Sequence, residues 1–256
     1  MVLYGERDGS GPRIVLLHGF GQTGRCWGPL AQALAADHEV LRLDAPGHGD
    51  STGPAVDLPT TGRLIAEAGG PSVYLGYSMG ARMALHVAIE VPQVVRALVL
   101  VGGTPGIVDD AERVARHAAD RALAQRIRSE GVDAFVEHWL ALPMFAGLPP
   151  EARFDDERRR NTAEGLATSL ELAGTGSQRP LWDELATIEA PVLVVAGRDD
   201  HRYADIAART AAAIGANARA ALVDDAGHSA HLEQPEAFTD LVLGWLAALD
   251  GSDQGP

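Results

Sequence analysis

The stretch Val73-Tyr-Leu-Gly-Tyr-Ser-Met-Gly-Ala-Arg82 limits the fold more than any other part of the chain. A short apolar run reaches Gly76, turns through Ser78 and passes directly into a helical pattern over Met79–Glu90. Gly76-Tyr-Ser-Met-Gly80 has the form G-x-S-x-G, in which glycines permit a sharp strand-to-helix turn that lifts a serine hydroxyl above a sheet. With 29 glycines in the chain the pattern alone has limited force. The strand before it and the helix after it supply the context that a nucleophile or base at Ser78 requires.

The rest of the chain repeats this alternation. Arg13–Leu17, Ala97–Val101 and Pro191–Ala196 read as buried strands, each a short β-branched run beside Gly or Pro. Val40–Leu43, Val73–Leu75 and Ala218–Val223 are weaker strands, and Trp27–Ala36, Met79–Glu90, Tyr203–Ile214 and Pro235–Leu249 read as helices. Strands alternating with helices predict an α/β fold with a mostly parallel sheet covered on both faces. From Asp109 to about Thr187 the pattern is helix-like only, broken at Pro143, Pro149-Pro150 and Gly174. The expected organisation is therefore a core of residues 1–106 and 188–249, a helical cap inserted at 107–187, and a disordered tail at 250–256.

Composition bounds the function. The 256 residues carry a formal net charge of -14, which disfavours nucleic acid and anionic membranes as partners. All 21 cationic residues are arginines. Cys26 is the single cysteine and reads as a buried filler, so neither an internal disulfide nor a cysteine metal cluster is expected. The Met-Val-Leu-Tyr-Gly-Glu-Arg-Asp start lacks the pattern of a signal peptide, and no apolar run reaches the roughly 20 residues of a membrane span. A cytoplasmic protein, monomeric or a small homo-oligomer, is expected. No metal, nucleotide or flavin motif appears.

A serine needs a histidine to take its proton, and the histidine needs an orienting carboxylate. Strand–turn–helix serine sites place them in the chain order Ser, Asp, His. Pro191-Val-Leu-Val-Val-Ala-Gly-Arg-Asp-Asp200 is a strand ending in two candidate carboxylates, Asp199 and Asp200. Asp224-Asp-Ala-Gly-His228 follows another strand and makes His228 the candidate base among nine histidines. His231, His86, His117 and His138 lie in helical surroundings and read as structural or surface residues. Negative charge developing on a substrate oxygen needs preorganised N–H donors. The candidates are the backbone amides of Met79, heading a helix, and of Phe20 in Leu17-His-Gly-Phe-Gly21. Asp44-Ala-Pro-Gly-His-Gly-Asp-Ser51 reads as a structural loop.

These residues carry a resemblance to the α/β-hydrolase superfamily, and several segments resemble one branch, the menaquinone-pathway SHCHC synthases. Gly76-Tyr-Ser-Met-Gly-Ala-Arg82 is similar to that branch's G-Y-S-[ML]-G-G-R, and Asn161–Leu170 with Gly174-Thr-Gly-Ser-Gln178 to its cap segment. Gly197-Arg-Asp-Asp-His-Arg-Tyr203 is similar to G-x-x-D-x-[KR]-[FY], which selects Asp200. Gly227-His-Ser-Ala-His-Leu-Glu-Gln-Pro235 is similar to G-H-x-x-H-x-E-x-P.

The resemblance implies an α/β-hydrolase fold and a lyase that eliminates pyruvate from SEPHCHC, an anionic cyclohexene intermediate. Ser78 would act as a general base on a ring proton, assisted by His228 and Asp200. A small polycarboxylate substrate calls for arginines, which bind carboxylates through paired hydrogen bonds. The resemblance implies that role for Arg82, Arg121 and Arg158, with Arg159 and Arg160 competing for the last, and places Trp139 in the pocket. Tyr77 is either pocket lining or packing.

Two positions depart from the branch pattern. Ala81 stands at its second glycine, and Glu171 where many members carry arginine. A carboxylate pointing into the pocket would weaken anion binding; one pointing outward would leave it unchanged. A rival reading is a serine hydrolase on the same scaffold, cleaving an ester or a C–C bond with Ser78 as nucleophile. A non-catalytic ligand receptor is disfavoured by the complete triad.

Overall fold

β2 (Arg13–Leu17), β4 (Ser72–Tyr77), β5 (Val95–Val101) and β6 (Val192–Gly197) form the apolar centre of a seven-stranded sheet ordered β1-β3-β2-β4-β5-β6-β7. β3 (Glu39–Leu43) and β7 (Ala218–Val223) flank them, and β1 (Gly5–Asp8) pairs antiparallel with β3 at one edge. Every other pairing is parallel. This computed structural model describes residues 2–51, 53 and 55–252.

Side chains alternate across a strand, and here each central strand feeds two cores. Val15 and Leu17, Leu98 and Leu100, and Val192 and Val194 pack on the face covered by α2 (Leu58–Gly69), α3 (Met79–Glu90) and α7 (His201–Ile214). Ile14 and Leu16, Val99 and Val101, and Leu193 and Val195 pack on the other face, against α1 (Pro29–Leu34) and α9 (Pro235–Ser252). Burial on both faces explains why these strands read as near-continuous apolar runs.

Between β5 and β6 the described chain is helical. α4 (Asp110–Leu140) bends at Gly131, whose φ of 84° breaks the helical path. α5 (Asp155–Arg158) and α6 (Ala163–Ala173) follow, with 3-10 turns at Pro143–Phe145, Pro150–Ala152 and Trp182–Thr187. Ile127, Phe135, Val136, Phe145, Leu166 and Leu170 give this block a core of its own, shared with Leu232 of α8 (Ala230–Glu233).

Several boundaries differ from the sequence reading. α1 is shorter than Trp27–Ala36, because Gly28 at φ 55° caps it and Pro29 fixes its first turn. β1 and α2 went unread: the first is a polar edge strand, and the second opens with Pro59 and contains Gly62. Its start signal was Asp57, whose side chain accepts from the Thr60 N–H. At the C-terminus α9 runs through Ser252, so residues 250–252 are helical where a disordered tail was expected. Helix propagation adds a bond for each residue fixed, so a long apolar helix can carry polar residues at its end. Residues 253–256 lie outside the described residues.

Candidate active site

The sheet order reverses between β2 and β4: β3 lies to one side of β2 and β4 to the other. Crevices at such switch points, at the C-terminal strand ends, are where open α/β sheets hold ligands. Ser78 sits there, at φ 52° and ψ -106° between β4 and α3. The turn closes only because it is glycine-rich. A Cβ at Gly80 would collide with the Leu17 carbonyl, and one at Gly76 with the Gly80 carbonyl.

His228 Nε2 lies 3.1 Å from Ser78 Oγ, and its Nδ1 lies 2.8 Å from Asp200 Oδ2. Asp200 caps α7, its other oxygen accepting from the Tyr203 N–H at 3.2 Å. Asp199 is exposed and its amide is tied to the Ala226 carbonyl, so the structure brings Asp200 and not Asp199 to the histidine. Burial works to raise the Asp200 carboxyl, but hydrogen bonding and charge from His228 outweigh it and hold it below the usual aspartate range. A carboxylate ionised at neutral pH, bonded to Nδ1, leaves Nε2 free to accept a proton from Ser78.

Two amides flank the serine. Met79 heads α3, where first-turn N–H groups have no intrahelical partner. In the loop after β2, the Gly19 N–H donates to Gln22 Oε1 at 2.9 Å and the Gly21 N–H to His48 Nε2 at 3.3 Å. Phe20 lies between these two committed amides and borders the same cavity as Ser78 and Met79. His18 fixes the loop from below, its Nε2 accepting from the Ala45 N–H at 3.0 Å. Asp44 in turn accepts from the Gly24 and Asp50 amides at 2.7 and 2.8 Å, which is the structural use of the 44–51 loop.

Ser78 and His228 open into a cavity of about 400 Å³. Its walls include Phe20, Met79, Arg82, Arg116, Trp139 and Tyr203. Arg82 is buried, and its Nη1 donates to the Ala173 carbonyl at 2.7 Å and to Gln178 Oε1 at 3.4 Å. Both acceptors are neutral. Burial, with Arg116 nearby, pushes its pKa down to about 10, which still leaves a cation at neutral pH. Trp139 joins Phe20, Phe135 and Phe145 in an aromatic cluster with ring centroids 5.5–5.9 Å apart.

A profile of the alpha/beta hydrolase family matches residues 14–241. The chain belongs to the alpha/beta hydrolase family. Within that family, a 2-succinyl-6-hydroxy-2,4-cyclohexadiene-1-carboxylate synthase of Yersinia enterocolitica is 34% identical, over 94% of this chain and 89% of that protein. A synthase of the same name from Serratia proteamaculans is 31% identical, over 94% and 95%. The structure of MenH from S. aureus superposes with a TM-score of 0.88 at 27% identity, covering 96% of this chain and 98% of that one.

Not every residue singled out in this alpha/beta hydrolase sequence reaches the cavity. Tyr77 is buried beneath it, its hydroxyl bonded to Ser229 Oγ at 2.8 Å and its ring on His231 and His228 at 4.4 and 5.5 Å. It packs and does not line the pocket. Arg121, expected to hold a carboxylate, is exposed on α4. The cavity stripe of that helix is Arg116, Ala119, Asp120 and Leu123, and one residue of helical rotation carries position 121 away. Arg116 is the cation on that stripe, held by Asp120 at 2.7 Å. Spacing at i, i+3, i+4 and i+7 was the available signal for it.

Among the three adjacent arginines, Arg159 and Arg160 form partly exposed ion pairs and Arg158 alone is buried. Arg158 sits behind the Phe20 loop, donating to the Arg153 carbonyl at 2.6 Å and the Gly21 carbonyl at 3.5 Å, and is not in the cavity wall. Burial lowers its pKa. Glu171 is bound by Arg128 at 2.6 and 3.0 Å and is not itself among the cavity-lining residues. Tyr203, overlooked apart from its place in a motif, packs against His228 in a tilted ring contact at 4.7 Å and lines the cavity. Among the described residues no group of three or more His, Cys, Asp or Glu is placed to hold a metal ion, and no helix is long and apolar enough to cross a membrane.

Proposed function

We propose that this chain is an SHCHC (2-succinyl-6-hydroxy-2,4-cyclohexadiene-1-carboxylate) synthase that eliminates pyruvate from SEPHCHC in menaquinone biosynthesis. Ser78, relayed through His228 to Asp200, takes the ring proton as a general base, a role worth roughly 10²–10⁴-fold in rate. The amides of Phe20 and Met79 hold the enolate-like oxygen, each such donor contributing on the order of 10²–10³-fold. The enolate then collapses to form the second ring double bond, and the ring C–O bond to the enolpyruvyl group breaks. The departing enolpyruvate takes a proton back from His228 through Ser78, or from solvent, to become pyruvate. Residues 107–187 act as a cap over the core of 1–106 and 188–249. We place the enzyme in the cytoplasm.

The observation that carries the reading is Arg82. A buried guanidinium whose hydrogen-bond acceptors among the described residues are neutral, in the wall of the cavity that contains Ser78, suits a carboxylate-bearing substrate and not a neutral ester. Arg116, on the same wall and partly neutralised by Asp120, is the second cation. The relatives' shared name supports the same conclusion. The test is parallel turnover of SEPHCHC, made in situ by the upstream synthase, and short-chain nitrophenyl esters by one preparation. Rapid SHCHC formation with little ester cleavage is expected. Ser78-dependent ester cleavage without SHCHC formation would replace the lyase by a hydrolase.

A further inference from the structure

Glu233 ends the short helix α8, just after His228 in the chain. Its carboxylate accepts from the Gly227 N–H at 2.7 Å through one oxygen and from the Ser229 N–H at 2.8 Å through the other. Both lengths fall in the range of charge-assisted hydrogen bonds. One side chain thus grips the backbone immediately before and immediately after the triad histidine. Ser229 is held a second time, through its hydroxyl to Tyr77. Carboxylate is the side chain this arrangement demands, because it alone accepts at both oxygens; an amide would set a donor against one of the two N–H groups.

A second observation ties this clamp to the helical block. Gly147, in the turn after Pro143–Phe145, approaches so closely that a Cβ there would overlap Glu233 Oε2. Its φ lies outside the left-handed region, so alanine is conformationally allowed at 147 and the carboxylate is what excludes it.

We infer that Glu233 is a positioning residue that fixes the His228 imidazole between Ser78 and Asp200, and that the Gly147 turn of the helical block seats on this carboxylate. The inference rests on His228 serving as the base. It does not depend on which substrate the base serves. A misplacement of about 1 Å in a catalytic group can cost on the order of 10²-fold in rate. The expected signature is therefore a loss of kcat with KM preserved, since Glu233 is not a cavity-lining residue.

The test uses Glu233→Gln, Glu233→Ala and Gly147→Ala in the full chain. Three quantities are read: the second-order rate of Ser78 labelling by a fluorophosphonate probe, kcat and KM for SHCHC formation, and the melting temperature. Glu233→Gln is expected to lose roughly 10- to 100-fold in both labelling rate and kcat with KM within about threefold, and Glu233→Ala more. Gly147→Ala should shift labelling and kcat in the same direction by pushing the carboxylate off its amides. Labelling and kcat at wild-type rates in Glu233→Gln, whatever happens to its melting temperature, would overturn the inference. If that variant does not fold, an unchanged labelling rate in Gly147→Ala does so. Wild-type protein that labels but makes no SHCHC would sink the lyase reading alone.

Discussion

A Cβ on Gly103 would come within 2.5 Å of the Ala81 Cβ, so a single methyl-sized space beside the serine turn serves both positions. Ala81 is fully buried, and the glycine at 103 makes room for its methyl. Gly103→Ala should therefore destabilise the protein by about 1–3 kcal/mol, the usual cost of overpacking. Adding Ala81→Gly should restore most of that loss. Urea unfolding of the two single variants and the double variant checks it, and simple additivity would show that the positions do not share the space.

Arg82 offers a prediction on binding. Arg82→Met removes the cation and keeps much of the apolar stem, so kcat/KM for SEPHCHC should fall by about 10²-fold or more. Cleavage of any neutral ester should change only a few-fold. Because burial brings Arg82 down only to about 10, it remains charged through neutral pH. The wild-type preference for anions should persist to about pH 9 and fade as pH rises through about 10. A substrate preference indifferent to this substitution would remove Arg82 from recognition.

The Asp200 carboxylate sets which nitrogen of His228 carries the proton. In Asp200→Asn the amide can donate to Nδ1, which stabilises the wrong tautomer while leaving the fold intact. A loss of kcat of about 10⁴-fold is expected, with KM changed little. Steady-state kinetics on the purified variant measures it.

Acid should unfold this protein through its buried neutral histidines. Burial pushes His48 and His231 down to about 3 and His86 down to about 4, and lowers His18 as well. Their unfolded value is about 6.5. A lowered folded pKa means that the unfolded chain takes up protons first as pH falls. The stabilisation is complete above about pH 6.5 and is lost from there down to about pH 3–4. Asp200, also lowered, loses its contribution in the same direction at still lower pH. Each histidine adds up to about 1.4 kcal/mol per pH unit to the slope. Urea midpoints at pH 7.5 and 5.5 should differ clearly, and His86→Leu should flatten the difference by about one proton. Equal midpoints would contradict the assignment.

The Ser78, Asp200 and His228 positions were legible from local signals, except that the choice of Asp200 over Asp199 came from the resemblance. Ser78 needs its glycines, Asp200 follows the buried apolar strand β6, and His228 sits in a Gly-His loop after the mostly exposed strand β7. The parallel sheet was legible for the same reason, since strands buried on both faces announce themselves. What stayed hidden depends on phase around a helix or on contacts between distant segments. Asp120 and Arg121 are neighbours in sequence, yet only the first faces the cavity, and nothing local says which face of α4 turns inward. Arg158, Arg159 and Arg160 pose the same problem. Tyr77 could point either way until β4 was placed over His231. Glu233 was visible as part of a motif, but its task depends on a backbone reversal around His228 that residue types do not reveal.

The most direct measurement is pyruvate release from SEPHCHC in rapidly quenched samples, with the intact mass of the protein read in the same samples. If Ser78 is a base, pyruvate should appear far faster than in buffer, the protein should keep its unmodified mass throughout turnover, and Ser78→Ala should abolish the acceleration. Release no faster than the spontaneous elimination, or a substrate-derived adduct on Ser78 during turnover, would contradict it.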